Sequence, residues 1–232
     1  MKGREGARPR NAKEIASGLD LIVVAGFGPF QCHLRNPSSE IAAALPAQAP
    51  AGVRFASTQL ETSWQRAWPQ ILSTVGEQRP LALILLGACL DPFFRLEMIA
   101  RNHWSPEPDI DGLSAPPGTG HSLIEDGPEY YLSTLPFERL QRGLGSSVLG
   151  IPVKISSDAG AFICNQVYYL ARHVLGTTIS NIGFVHVPPL QLAHLKSTWT
   201  DALIIDAGIA LMLELTHHLR ESDGASTATR WF

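Results

Sequence analysis

The stretch Leu21-Ile22-Val23-Val24-Ala25-Gly26 is an unbroken apolar run, rich in β-branched residues and closed by a glycine. Such a run, without polar alternation, reads as a strand buried on both faces. Residues 81–86 (Leu-Ala-Leu-Ile-Leu-Leu) repeat the pattern and again stop at a glycine, Gly87. Residues 151–155 and 182–187 give two further strands, and residues 53–60 alternate as a strand does. Helical patterns separate them. Asn36 and Pro37 suit the N-cap and first position of a short Ala-rich helix ending near Leu45. Trp64, Ala67, Ile71, Leu72 and Val75 recur on one helix face, which Pro69 weakens or kinks. Residues 162–175 and 199–219 supply two more helices. Strands alternating with helices predict a single three-layer α/β/α sandwich around a largely parallel, mixed sheet.

Composition narrows the function. The chain has 232 residues, 45% of them apolar and 17% charged, with a formal net charge of −3, which excludes disorder as the dominant state. A pI near 6.2 and the lack of a basic stripe argue against nucleic acid as partner. Lys2, Arg4, Arg8, Arg10 and Lys13 give a basic start, but no apolar segment follows before Asp20, so no secretory leader is expected. The most apolar stretch, residues 202–213, is interrupted by Asp206 and Gly208, and no membrane association is expected from it. Three cysteines, Cys32, Cys89 and Cys164, fit a reducing cytoplasm better than a disulfide framework. The organisation expected is a flexible tail over 1–18, one α/β unit over 19–220 and a second tail over 221–232.

Open α/β sheets place their sites beyond the carboxyl ends of the strands. Four segments qualify here: 26–36, 87–97, 156–164 and 186–190. Three of them bring residues suited to nucleophilic catalysis, namely Glu97, Cys164 and His186. Cys164 follows the small-residue turn Asp158-Ala159-Gly160-Ala161 at the start of a helix, where backbone N–H groups favour a thiolate. His186 ends a strand before Pro188-Pro189. A thiol, an imidazole and a carboxylate at one rim form a generalised triad. The same residues also read structurally: Cys164 as a buried apolar filler, His186 as a satisfied rim residue, Glu97 as the ion-pair partner of Arg95 or Arg101.

Longer motifs surround these residues. Gly26-Phe27-Gly28-Pro29-Phe30 followed by Asn36-Pro37-Ser38 resembles the opening of the type I pyroglutamyl peptidases (pyrrolidone-carboxylate peptidases). Leu96-Glu97-Met98-Ile99-Ala100-Arg101-Asn102 is similar to that family's glutamate segment. Asp158-Ala159-Gly160-Ala161-Phe162-Ile163-Cys164-Asn165, with Tyr168-Tyr169 beyond it, is similar to its nucleophile segment. Phe184-Val185-His186-Val187-Pro188 matches its histidine strand, and the four motifs run in order between Leu21 and Leu190. The resemblance implies an α/β/α cysteine exopeptidase that removes an N-terminal pyroglutamyl residue without metal or organic cofactor. It implies Cys164 as nucleophile, His186 as general base then acid, and Glu97 as the group orienting the imidazole. It also implies Phe27 and Phe30 as ring-contacting aromatics and Asn36 as a support of their loop. N-terminally blocked peptides or small acyl amides are the implied substrates, and homo-oligomer formation stays open.

Three departures bear on specificity. Gln31-Cys32 stands where the family has Gly-Gly, and Ala88-Cys89-Leu90-Asp91-Pro92 replaces a glycine-rich loop. Pro106-Glu107 occupies a region where members carry an arginine. These leave open a relative acting on another small acyl amide, or a binding protein with little turnover. A disulfide or zinc site among Cys32, Cys89, Cys164 and His186 is a further alternative, although no Cys-x-x-Cys spacing supports it. Residues 103–127, rich in Pro, Gly and Asp, are expected to form a loop partly covering the pocket.

Overall fold

A computed structural model describes residues 18–30, 34–114, 122–190 and 199–228, the last six as backbone only. Tail residues 1–17, Gln31, Cys32 and the centre of the 103–127 segment lie outside the described residues. The expected strands form as β1 (Asp20–Phe27), β2 (Val53–Leu60), β3 (Ala82–Ala88), β8 (Ile151–Ser156) and β9 (Asn181–Val187). Four short strands were not anticipated: β4 (Phe94–Glu97), β5 (Ile99–Arg101), β6 (Tyr130–Leu132) and β7 (Ser147–Val148). Seven strands make one sheet in the order β2-β1-β3-β9-β4-β8-β7, and β5 pairs with β6 separately. The pairs β2–β1, β1–β3, β3–β9 and β4–β8 are parallel, while β4–β9 and β7–β8 are antiparallel. The sheet is therefore mostly parallel and mixed, as expected.

Helices cover both faces. Alternate residues of the central strands, among them Ile22, Val24, Ile84, Leu86 and Val185, pack beneath α1 (Pro37–Ala44), α3 (Phe137–Gly143) and α5 (Asp201–Ala228). The other alternation, including Val23, Ala25, Leu83, Leu85 and Phe184, packs beneath α2 (Ala67–Val75) and α4 (Ile163–Leu170). Strands sandwiched in this way are apolar on both sides, which is why β1 and β3 show no alternation in sequence.

Local chemistry explains the helix ends. The Asn36 side chain accepts from the Ser38 N–H at 3.1 Å and Pro37 occupies the first turn, so α1 starts where expected. Helix α2 begins at Ala67, later than Trp64, which puts Pro69 in the first turn where its missing N–H breaks no helical bond. Helix α5 continues through Ala228, so it runs past residue 220 into the segment expected as a tail. Over Asp201–Ser222, α5 has the length and apolar content of a membrane span, contrary to the shorter run expected from its sequence. Half of its most apolar 18-residue window is buried, with Ile204, Ala207, Leu211, Met212 and Leu215 against the sheet, so core packing accounts for its apolar character.

Close backbone approach fixes the loop after β1. A Cβ on Gly26 would stand 2.2 Å from the Ser38 carbonyl oxygen, a rigid backbone atom of α1. Gly26→Ala is expected to lower unfolding free energy by about 1–3 kcal/mol, measured by urea unfolding of native and variant chains.

Candidate active site

His186 is the sixth residue of β9 and pairs in register with Gly87 of β3. On the other side β4 runs antiparallel, placing Arg95 opposite His186 and Glu97 opposite Phe184. Side chains two residues apart on a strand share a face, so Arg95 and Glu97 both project toward the face that carries the imidazole. Glu97 thus stands within the sheet and not on a rim loop, as its sequence position had suggested. Its carboxylate is 0% exposed, and Oε1 lies 2.8 Å from His186 Nδ1 and 2.9 Å from Arg95 Nε. With Nδ1 engaged by the carboxylate, Nε2 is the imidazole's remaining nitrogen for proton transfer. Of the two arginines considered as structural partners of Glu97, Arg95 makes the contact, while Arg101 donates to the Ser157 carbonyl at 3.3 Å.

Cys164 reaches this face by an unexpected route. Its preceding strand β8 is parallel to β4 and therefore runs opposite to β9, so the carboxyl end of β8 points away from the rim. Residues 157–162 turn back along the face and bring the Phe162 ring to 5.7 Å from Phe30 and 5.3 Å from Trp64. Cys164 follows as the second residue of α4. Gly87 provides its space: a Cβ there would stand 3.0 Å from Cys164 Sγ and 2.8 Å from the Phe184 ring. The Phe184 and His186 rings are 4.7 Å apart. Sulfur, imidazole and carboxylate are thereby gathered around one notch in the sheet.

The N-terminus of α4 has no side-chain cap at Phe162, whose backbone is extended, so the cap side chain accepts from none of the first-turn amides. Asn165 clamps this end to β5: its Oδ1 accepts from the Arg101 N–H at 2.9 Å, and its Nδ2 donates to the Arg101 and His103 carbonyls at 2.9 and 2.8 Å. Sequence position beside the nucleophile candidate is the one signal that marks Asn165 and Phe162, since neither residue type by itself points to a role.

A cavity of about 250 Å³ opens at the notch, with Phe27, Phe30, Phe162, Cys89, Cys164 and Leu190 on its walls. Asn36 also lines it, but its amide is committed to the Gly28 carbonyl at 3.0 Å and to Ser38. Asn36 therefore builds the loop. No described residue of 103–114 or 122–127 lines the cavity, so the expected cover is absent from that part of the segment. Instead Asp109 accepts from the Trp64 N–H at 2.9 Å, and the Glu107 carbonyl accepts from Trp64 Nε1 at 3.1 Å. The Glu107 side chain is exposed and outside the cavity wall.

Cys89 and Cys164 are both free thiols on this wall. Burial pushes the Cys164 thiol up to about 12, with Cys89 and Glu97 adding to the shift. Burial likewise pushes Cys89 up to about 12, partly opposed by its hydrogen bond to the Asp91 backbone. At neutral pH the resting sulfur is a thiol, so attack on a carbonyl would require a base to take its proton.

An α/β/α sandwich with thiol, imidazole and carboxylate at one sheet edge is the build of a cysteine peptidase. A model of the pyroglutamyl peptidase family matches residues 20–210, and the chain belongs to this family. The pyrrolidone-carboxylate peptidase of Bacillus cytotoxicus is 31% identical over 208 residues, covering 85% of this chain and 93% of that protein. The Yersinia pestis protein of the same name is 26% identical over 219 residues, covering 88% of this chain and 98% of its own length. Among solved structures, pyrrolidone carboxyl peptidase from Thermococcus litoralis superposes with a TM-score of 0.77 at 25% identity, over 88% of this chain and 96% of that one. The enzyme from Fervidobacterium islandicum gives 0.73 at 26% identity, over 86% and 99% respectively.

Two outcomes follow from this geometry. Gly87→Ala forces apart the sulfur and the Phe184 ring, and is expected to lower kcat/KM for a pyroglutamyl reporter about a hundredfold while the chain still melts cooperatively. The thiols hold their protons more tightly in the folded chain, so the unfolded chain ionises first, from its ordinary value of 9.0. Their contribution to stability is present below pH 9 and declines as pH rises toward about 12, which urea unfolding at stepped alkaline pH would show.

Proposed function

We propose that this protein hydrolyses the amide bond after an N-terminal pyroglutamyl residue, with Cys164 as nucleophile, His186 as general base then acid, and Glu97 as its orienting carboxylate. The observation that carries this reading is the 2.8 Å bond between Glu97 and His186 beside the Gly87 notch that holds the Cys164 sulfur. His186 takes the thiol proton as Sγ attacks the exocyclic carbonyl of the pyroglutamyl residue. The tetrahedral oxyanion meets the uncapped amides of α4. Collapse breaks the C–N bond, His186 returns the proton to the departing amine, and water then hydrolyses the thioester.

The cavity suits such a substrate. A lactam ring has no charge, and the wall contributed by Phe27, Phe30, Phe162, Leu90, Pro189 and Leu190 is apolar. The one guanidinium on the described cavity wall, Arg35, is paired with Glu40 at 2.6 Å and Asp201 at 2.8 Å, so no unbalanced cation attracts an acidic ligand there. The unit responsible is taken as residues 19–220, working in the cytoplasm. Cys89 and Leu90 on the wall favour a second reading within the same chemistry, in which another small acyl group fills the site.

Hydrolysis of a pyroglutamyl anilide beside a panel of other N-acyl anilides tests both. The pyroglutamyl compound is expected to give the highest kcat/KM. Cys164→Ser should lower kcat about a thousandfold or more, and equal rates in native and variant chains would remove Cys164 from the reaction.

A further inference from the structure

Arg95 touches more of this site than any role given to it so far. Its register opposite His186 puts the guanidinium on the same face as the imidazole. Nε contacts Glu97 Oε1 at 2.9 Å, the oxygen that also meets His186 Nδ1 at 2.8 Å. Nη1 donates to Asp91 at 3.0 Å, and Nη2 donates to Ser156 Oγ at 3.0 Å and to the Asp158 carbonyl. Ser156 ends β8, and Asp158 belongs to the segment that turns back to deliver Cys164. One side chain, 21% exposed, therefore grips both the carboxylate behind the imidazole and the chain that carries the thiol.

We infer that Arg95 is a positioning residue for this reaction, fixing the Glu97 carboxylate against His186 and tying that pair to the segment leading to Cys164. Glu97 Oε2 has no hydrogen-bond partner among the described residues, and the contacts they make to the carboxylate all run through Oε1. Without the guanidinium, a carboxylate with no solvent exposure would keep the imidazole alone as its side-chain partner. The inference rests on the catalytic reading above and adds to it the group that holds the carboxylate in place.

Charge makes the role measurable. The pair is faced by Cys164 and Tyr168 from α4, by Cys89 after β3, and by Arg95 and Asp91 from β4 and the turn before it. Arg95 is the cation in direct contact with it. Burial works against the guanidinium charge, and Glu97 and Asp91 more than restore it. A positive charge here opposes protonation of the imidazole–carboxylate pair, so replacing it with a neutral side chain moves the acidic limb of kcat/KM to higher pH.

The test compares native, Arg95→Lys and Arg95→Met chains on a pyroglutamyl reporter amide from about pH 5 to about pH 9, with thermal melting of each. Arg95→Met is expected to raise the acidic limb by about one pH unit and to lower kcat/KM about tenfold at the native optimum. Arg95→Lys, which keeps the charge, should leave the limb in place. An unmoved limb in Arg95→Met overturns the inference, as does an equal loss in both variants with neither limb displaced, since that marks a scaffold role only. Should Arg95→Met not melt cooperatively, Arg95→Gln replaces it under the same criteria. If the native chain leaves the reporter intact, the functional reading fails on its own. Alkylation of Cys164 by iodoacetamide, taken as the difference from a Cys164→Ser control, then decides about Arg95. Arg95→Met must shift that profile to higher pH, and an unshifted profile overturns the inference.

Discussion

A carboxylate buried inside a sheet is costly to maintain, by several kcal/mol per ion even after relaxation, unless charge and hydrogen bonds surround it. Glu97 meets that condition through one oxygen, shared by His186 and Arg95. The rest of the site depends on this pairing. It sets which ring nitrogen of His186 is engaged, and through Arg95 it ties β4 to the return segment that ends at Cys164. An apolar residue in place of Glu97 would suit the surrounding core, and the cost of a carboxylate there supports the orienting role proposed for it.

Sheet topology turns this pairing into a site. Were β4 parallel to β9, residue 95 would lie nearer the base of the sheet and residue 97 nearer the rim. Antiparallel insertion reverses that order, seats the carboxylate below the ring and aims it upward. The same insertion makes β8 run away from the rim, so a return segment is needed, and the ring of Phe162 at its end joins the cavity wall. Gly87 completes the arrangement, since any side chain there would fill the space taken by the sulfur and the Phe184 ring.

The long elements were legible because their periodicity had room to show. β1 and β3 carry unbroken apolar runs, and Asn36-Pro37 marks the start of α1 by local chemistry alone. Glu97, Cys164 and His186 stood out by residue type and motif. Their spatial logic did not: β4 has four residues, too few for a period, and antiparallel insertion into a parallel sheet leaves no local trace in sequence. The rule that sites follow strand ends led to Cys164 for a reason that does not apply to β8. Arg95 was read as a competing explanation for Glu97, yet its contact with Glu97 coexists with that of His186 on a single oxygen. The segment 103–127 looked like a pocket cover because it lacks pattern, whereas its described part is held by Trp64 and Asn102 through hydrogen bonds to backbone and to Asp109.

Burial of the thiol sets how the chemistry must proceed. A sulfur whose proton is held up to about 12 is a poor nucleophile at rest, which protects it from adventitious electrophiles. Activation then requires a base whose own charge, once gained, is stabilised nearby, and a carboxylate bonded to the far ring nitrogen provides that stabilisation. Arg95 shares that oxygen, so the carboxylate's charge faces a fixed cation as well as the imidazole. In the proposed two-step acyl transfer His186 must both accept a proton from sulfur and release it to the leaving amine, and a carboxylate held between a cation and the ring keeps the imidazole oriented for both transfers.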